Sequence, residues 1–178
     1  GELGGSAKAT GGNISFTPGG KTVHTFTTSG AFNVTDGSLT SVDWLVIGGG
    51  GGGSYAGGGG GAGGYRTSVG TSGGGGSAES AVPVSSGGGN YPVVVGAGGA
   101  NAPSTSRTSK DGSPSSFTYQ GGSVTSTGGG GGGSEDSNGN NGGSGGGGGG
   151  GNGNTRPGGS GTSNQGYNGG TATSSGGG

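Results

Sequence analysis

The chain has 178 residues, and 62 of them are glycine, whereas an average protein contains only about 7% glycine. Apolar residues make up 21% of the sequence and charged residues 7%, with a formal net charge of -1. Since soluble domains are about 45–50% apolar, this composition excludes a hydrophobic core that fills the whole domain. It also excludes the basic surface that nucleic-acid binding requires and the polybasic cluster that would hold a chain on an anionic membrane.

Cysteine is absent from the sequence, so neither a disulfide framework nor a cysteine-based zinc site is available. No run of about 18 apolar residues exists, and we therefore expect no membrane insertion. The chain begins at Gly1 rather than Met, which is typical of a fragment or a processed product.

Short apolar segments are concentrated in the first third of the chain. They are rich in Val, Ile, Phe and Thr and are separated by turn residues such as Asp36-Gly37, which is the pattern of short strands. The predicted strands cover 13–16, 22–26, 31–34 and 42–47, with shorter candidates at 82–84, 91–95 and 117–119. The segment 42–47 is apolar on both faces at its end, which is typical of a covered strand. No stretch shows helical periodicity.

Glycine runs occupy much of the remaining sequence. They cover residues 48–53, 57–61, 73–76, 128–133 and 145–151. Composition alone favours flexible linkers. The alternative is an ordered structure, in which fixing each backbone costs about 1–2 kcal/mol and each backbone hydrogen bond returns only about 1 kcal/mol. An ordered run would therefore need nearly every amide to be paired.

Extended helices with three residues per turn meet this requirement, because they make no internal hydrogen bonds and their amides can reach neighbouring helices. We therefore predict a mainly β and irregular fold with almost no α-helix. Residues 1–47 form a small N-terminal antiparallel β unit, and residues 48–178 form a bundle of polyglycine II helices joined by loops, in one continuous structural unit with the first. The conventional apolar cluster is expected to contain Phe26, Phe32, Trp44, Leu45 and Val46. Gly→Ala substitutions through 128–133 are expected to give an uneven stability profile.

Motifs that resemble catalytic or nucleotide-binding sites are incomplete. A GxGxxG match follows strand 42–47, but no helix follows it to hold a pyrophosphate. Gly20-Lys21-Thr22 resembles the end of a P-loop, but position 15, where its first glycine belongs, is Ser15. His24 is the only histidine, and without cysteine no triad or metal cluster can be built around it. We expect no enzyme activity, no cofactor and no metal site.

Recognition residues are expected in the polar inserts 102–114 and 134–144, because loops on a rigid scaffold commonly carry function. Exposed tyrosines would supply stacking surfaces for sugars. The two carboxylates in 134–144 are expected to be solvated, and the alternative is that they bind calcium. The candidate receptor-binding residues are Glu135, Asp136, Asn138, Asn140, Asn141, Tyr55, Tyr119 and Tyr167.

A series of motifs runs in order along nearly the whole chain. It comprises HTFTTSGAF at 24–32, VDWLVIGGG at 42–50, GGAGGYR at 60–66, YPVVVGAGG at 91–99, DGSPSSF at 111–117 and GTSNQGYNGG at 161–170. In this order the motifs resemble the glycine-rich domain of phage and marine-virus fibre and other virion proteins. The resemblance implies a virion-surface or extracellular structural role, and in glycine-rich adhesins of phage tail fibres the loops of polyglycine bundles contact the host receptor.

Three functions remain open at this point. The first is a virion fibre or appendage module that takes part in attachment to a host-surface glycan or protein. The second is a purely architectural virion or extracellular-filament subunit without a ligand, and the third is an ice-binding protein. The first two imply other virion or filament subunits as partners, in a homo-oligomeric assembly. Ice binding requires a regular row of Thr or Ala, and the Ser and Thr residues here show no fixed period.

Overall fold

A computed structural model of the chain describes residues 6–55, 57–104, 109–151, 153–173 and 178. Within them lie eleven short β-strands and two short 3-10 turns, at Gly73–Gly75 and Ser86–Gly88. The fold is mainly β and irregular, as predicted. The strands are β1 (Ala9–Thr10), β2 (Asn13–Phe16), β3 (Thr22–Thr25), β4 (Gly30–Val34), β5 (Ser41–Val42), β6 (Leu45–Ile47), β7 (Tyr65–Thr67), β8 (Val82–Pro83), β9 (Asn90–Val94), β10 (Ser115–Tyr119) and β11 (Gly122–Ser126).

Five of these strands form an antiparallel sheet in the order β1-β4-β9-β10-β11, and three two-stranded pairs surround it: β2-β3, β5-β8 and β6-β7. The sheet therefore combines strands from both sides of residue 47. The chain leaves this β unit after β6, β9 and β11 and comes back to it at β7 and β10. Strands separated by glycine-rich excursions pair with one another, so residues 1–47 do not form a self-contained β unit.

The apolar core lies in this β unit and also draws on both halves of the sequence. Phe32, Trp44 and Val46 are buried as predicted, and Phe26 packs against them partly buried. Leu45 is 52% exposed, so its predicted place in the core is wrong. The other buried apolar residues of this core are Ala9, Val34, Val82, Val84, Tyr91, Phe117 and Val124.

The exposure of Leu45 follows from the alternation of side chains along a strand. In β6 only Val46 points to the core, while Leu45 and Ile47 (51% exposed) point outward. The segment 42–47 is also interrupted between β5 and β6. The prediction of a covered strand at 42–47 is therefore wrong, because one of its two faces lacks a covering layer among the described residues.

Residues 127–133 show how the glycine runs are held. The N–H groups of Gly129 and Gly132 donate to the carbonyls of Gly49 and Gly52, both at 2.8–3.0 Å. The N–H groups of Gly130 and Gly133 donate to a different neighbour, the segment 142–149. Donors three residues apart thus reach the same neighbour, which requires three residues per turn. None of these glycines has a positive φ, so the helices are left-handed, as in polyglycine II.

Nine such extended segments pack side by side within the described residues. They are 48–54, 57–64, 96–102, 109–113, 127–133, 137–141, 142–149, 156–160 and 167–172. The predicted polyglycine helices are confirmed for the runs 48–53, 57–61 and 128–133 and for 145–149. The run 73–76 differs, because it contains a 3-10 turn with positive φ at Gly74 and Gly75.

The bundle has two ends. At the sheet end, segments join the strands of the β unit, as residue 48 follows β6 and residue 127 follows β11. At the distal end lie the turns that connect 48–54 to 57–64 and 127–133 to 137–141. Segment 127–133 is central, since it exchanges hydrogen bonds with 48–54, 57–64, 109–113, 137–141 and 142–149.

All six glycines of 128–133 are buried. An added Cβ would overlap a backbone carbonyl at five of them, and at Gly131 it would lie 2.6 Å from Ser109 Oγ. For this run the structure predicts destabilisation at all six positions, least at Gly131, where the overlap is with a side chain rather than with backbone. At Gly59 an added Cβ meets nothing within 4 Å, so silent positions belong to the outer segments instead.

We predict that Gly132→Ala destabilises the protein and that Gly59→Ala does not. The methyl group at residue 132 would overlap Gly58 O and separate 127–133 from 57–64. This would leave two buried hydrogen-bonding groups unpaired, at a cost of about 1–3 kcal/mol each. A loss of about 3 kcal/mol in the free energy of unfolding lowers the Tm by roughly 6–12 °C. Gly59→Ala should be neutral or stabilising by up to about 1 kcal/mol. Thermal unfolding followed by Trp44 fluorescence measures both, and equal Tm values for the two variants would contradict the packed bundle.

Candidate functional site

The distal end of the bundle brings three loop segments together. An added Cβ at Gly57 would lie 3.1 Å from both Ser134 Cα and Ser54 Oγ, so the turns around residues 55 and 135 are adjacent. An added Cβ at Gly151 would lie 2.5 Å from Glu135 Cγ, which places the loop after 142–149 beside the second turn. We call this surface the distal loops and define it as residues 54–57, 134–138 and 151–156, as far as the structure describes them.

Asp136 connects two of these loops. Its Oδ1 accepts a hydrogen bond from Asn154 Nδ2 at 3.1 Å and lies 3.6 Å from Arg156 Nη2. Both charged side chains are about one third exposed, and ion pairs with this exposure contribute little stability. Asp136 adopts a φ of 63°, a left-handed conformation that Asp tolerates in turns. Its carboxylate therefore contacts residues 154 and 156 of the neighbouring loop and still reaches the surface.

Asn140 and Asn141 have structural partners rather than free side chains. Asn140 Nδ2 donates to Asp111 Oδ1 at 2.8 Å, and Asn141 Oδ1 accepts the N–H of Ser160 at 2.7 Å. The predicted insert 134–144 is accordingly not one loop. Only its first part is a turn, and the rest enters segments 137–141 and 142–149 of the bundle.

Asn138 differs from these two residues. It is exposed, and its side chain has no hydrogen-bond partner among the residues that the structure describes. In the other predicted insert, 102–114, residues 109–113 belong to the bundle and residues 105–108 lie outside the described part. Asn138, Glu135, Asp136 and Tyr55 are the predicted residues that the structure gathers at the distal loops.

The three predicted tyrosines do not share a surface. Tyr55 is 48% exposed at the distal turn. Tyr167 is 68% exposed, but it starts a segment at the sheet end, where its hydroxyl would be 3.5 Å from an added Cβ at Gly75. Tyr119 ends β10 on the side away from the bundle and packs partly buried against the apolar core. A single aromatic platform is therefore not formed.

His24 is half-buried, and its imidazole has structural contacts. Its Nδ1 lies 2.8 Å from Gly11 O, and its ring meets Phe32 edge-on at 5.0 Å between centroids. In the described parts of the chain, no three His, Asp or Glu side chains gather into a group that could hold a metal ion. The described residues also include no helix with the length and apolarity to cross a membrane.

Sequence reasoning missed a cleft at the sheet end. It has a volume of about 490 Å³, and its lining residues are Arg66, Ser77, Ala78, Glu79, Ser163, Asn164 and Gln165. These residues are scattered over three parts of the sequence, so no contiguous motif marks them. The one available signal was Arg66 at the end of GGAGGYR, an arginine in a chain that has few charges.

Arg66 is fixed at the base of this cleft. Its Nε donates to Glu79 Oε1 at 2.7 Å and its Nη2 donates to Glu79 Oε2, while Nη1 donates to Thr125 O at 2.7 Å. The guanidinium carbon lies 5.9 Å from the centre of the Trp44 ring. The hydrogen bonds to Glu79 raise the pKa of Arg66 above its ordinary value, so Arg66 keeps its positive charge.

A comparison with known protein families shows that residues 27–178 match the glycine-rich domain family. The chain belongs to this family. The match begins just before β4 and takes in every later strand and the whole bundle. No curated protein and no solved structure shows significant similarity to the chain.

We predict that Asp111→Ala is destabilising, because Asp111 Oδ1 accepts the N–H of the buried Gly131 at 2.7 Å. Without that acceptor a buried donor is left unpaired, at about 1–3 kcal/mol. Asp111→Asn retains an oxygen at this position and should restore most of the loss. Denaturant unfolding measures the three proteins, with Asn138→Ala as an exposed control that should be within about 0.5 kcal/mol of the parent. Equal stability of the alanine and asparagine variants would contradict this role.

Proposed function

We propose that the chain is a structural module of a virion fibre or appendage and that it takes part in host-surface attachment through its distal loops. The supporting observation is the bundle itself, in which backbone hydrogen bonds between glycine segments fix the ends of three loops at one pole. A binding surface benefits from such a scaffold, because ordering loops in advance lowers the entropy lost on binding.

The surface chemistry of the distal loops is compatible with this proposal. Tyr55 offers an exposed aromatic ring, Asn138 an unpaired carboxamide, and Glu135 and Asp136 two carboxylates. Aromatic and carboxamide side chains are typical of sites that bind polar ligands. The family resemblance noted in the sequence supports a location on the virion surface or outside the cell, in an assembly with other copies of the chain.

A substitution experiment distinguishes attachment from an architectural role. The variant Tyr55→Ser/Asn138→Ser/Thr155→Ala removes three exposed side chains of the distal loops and leaves Glu135 and Asp136, which have contacts within the fold, unchanged. A virion that carries this variant should adsorb to its host cells at least about tenfold more slowly, since each lost polar or aromatic contact is worth about 1 kcal/mol. Adsorption rates of parent and variant virions provide the measurement.

The matched control is Phe16→Ser/Val69→Ser/Val94→Ser, which removes three exposed side chains of the β unit, at 55%, 60% and 46% exposure. Adsorption of this control should equal that of the parent. Both variants should also assemble in normal amounts and unfold at the parent temperature. Unchanged adsorption of the distal variant would count against the proposal and favour a purely architectural subunit.

A further inference from the structure

The cleft at the sheet end has two walls that come from different parts of the fold. Residues 77–79 form one wall, together with Arg66 of β7, and residues 163–165 of the loop between two bundle segments form the other. The cleft lies at the opposite end of the bundle from the distal loops. Any ligand bound there is therefore bound independently of the attachment site proposed above.

The two walls are held together by backbone contacts that leave no room for side chains. An added Cβ at Gly73 would overlap Gln165 O, and an added Cβ at Gly76 would lie 2.9 Å from Asn164 Cα. Gln165 is anchored twice more, since its O accepts the N–H of Tyr65 at 2.9 Å and its Oε1 accepts the N–H of Thr127 at 2.8 Å. The cleft is consequently preformed and loses little entropy when a ligand binds.

The lining presents unused hydrogen-bonding groups. In the part of the chain that the structure describes, the side chains of Ser77, Ser163 and Asn164 have no hydrogen-bond partner, and all three residues are exposed. Hydroxyl and carboxamide groups both donate and accept hydrogen bonds. Beneath them, the carboxylate of Glu79 has acceptor sites beyond the two that Arg66 occupies. The lining therefore suits a ligand that both donates and accepts at several closely spaced positions.

Charge and polarity narrow the class of ligand further. Arg66 and Glu79 carry opposite charges and neutralise each other, so the cleft does not favour an ion of either sign. Ala78 supplies the one aliphatic side chain among the lining residues, which disfavours an apolar ligand. A volume of about 490 Å³ lies in the range of small-molecule sites, roughly 300–1,000 Å³. A neutral saccharide has this size and this density of hydroxyl groups.

Tyr167 is not part of the cleft lining, but it lies against the glycine turn that leads into residue 77 of the lining. Its hydroxyl approaches Gly75, in the same glycine turn whose neighbours Gly73 and Gly76 hold the walls together. The side chain is 68% exposed, the largest exposure among the large apolar and aromatic residues of the described chain. A phenol ring is apolar on its faces and polar at its tip, which suits it to packing against one face of a sugar ring.

We infer that this cleft is a binding site for a neutral saccharide of one or two rings. Ser77, Ser163, Asn164 and Glu79 hydrogen-bond the sugar hydroxyls, and Tyr167 packs against the ring from the side.

A printed array of neutral and acidic oligosaccharides, probed with the purified full chain, provides the first test. The parent protein should bind neutral glycans, and calorimetric titration with the best neutral sugar should then give a Kd. Asn164→Gly removes the carboxamide and retains the backbone conformation of residue 164, which has a φ of 58°. This variant and Tyr167→Ser should each weaken the Kd at least about tenfold, as expected when a ligand group loses its partner.

The matched controls are Asn13→Ser and Phe16→Ser, which remove an exposed carboxamide and an exposed aromatic ring from β2, a strand that belongs to neither proposed site. Their Kd values should stay within about twofold of the parent, and the thermal unfolding of all four variants should match the parent. Binding of acidic glycans alone, no glycan binding, or equal Kd values in the cleft variants and the parent would each overturn the inference. The attachment proposal is tested separately, by host adsorption of the distal-loop variant described above. Failure of saccharide binding in the cleft can therefore be told apart from failure of attachment through the distal loops.

Discussion

Pairing of backbone amides between neighbouring extended segments is the interaction on which the glycine bundle depends. Glycine has no side chain to bury, and its backbone loses more conformational freedom on folding than that of any other residue. The segment 127–133 offsets this loss of entropy by exchanging hydrogen bonds with five neighbouring segments. The same pairing explains the composition, because a Cβ at nearly every interior position would overlap the backbone of an adjacent segment.

Backbone pairing alone does not determine the register between neighbouring segments. The β unit fixes this register. A polyglycine segment can slide by three residues against its neighbour and recover an equivalent set of hydrogen bonds. The strands prevent this, because a shifted strand would move its buried residues out of the core. β6 and β11 lead directly into 48–54 and 127–133, and Ser126 Oγ donates to Val46 O at 2.7 Å just before both segments begin. The apolar core thus fixes the starting points from which the segments align.

Much of this architecture could be predicted from the sequence, and the parts that could not have a common physical cause. Turn residues and apolar alternation locate strands such as β2 and β4, and the energetics of glycine predict paired extended helices. Composition does not show which strands pair after long excursions, so the contribution of β9 to β11 to the same sheet was missed. Leu45 was misplaced because an apolar run of three residues does not reveal which face of a strand will be covered.

Polar residues between the glycine runs have two roles that sequence alone does not separate. Some complete the bundle where a backbone group lacks a partner. Ser109 is an example, because its hydroxyl donates to Gly132 O at 2.6 Å. Gly112 lies three residues later in the same segment, and its N–H donates to Gly129 O. The hydroxyl therefore takes the place of the next backbone donor in the series.

Asn101 follows the same principle, since its Oδ1 accepts the N–H of Gly53 at 2.9 Å. Asn138 and Asn164 have the same side chain as Asn101, yet theirs have no such partner among the described residues. In a bundle whose interior excludes side chains, a carboxamide that does not complete the hydrogen bonding contributes little to folding. Both side chains therefore remain available to ligands of the kind proposed above, Asn138 at the distal loops and Asn164 at the cleft.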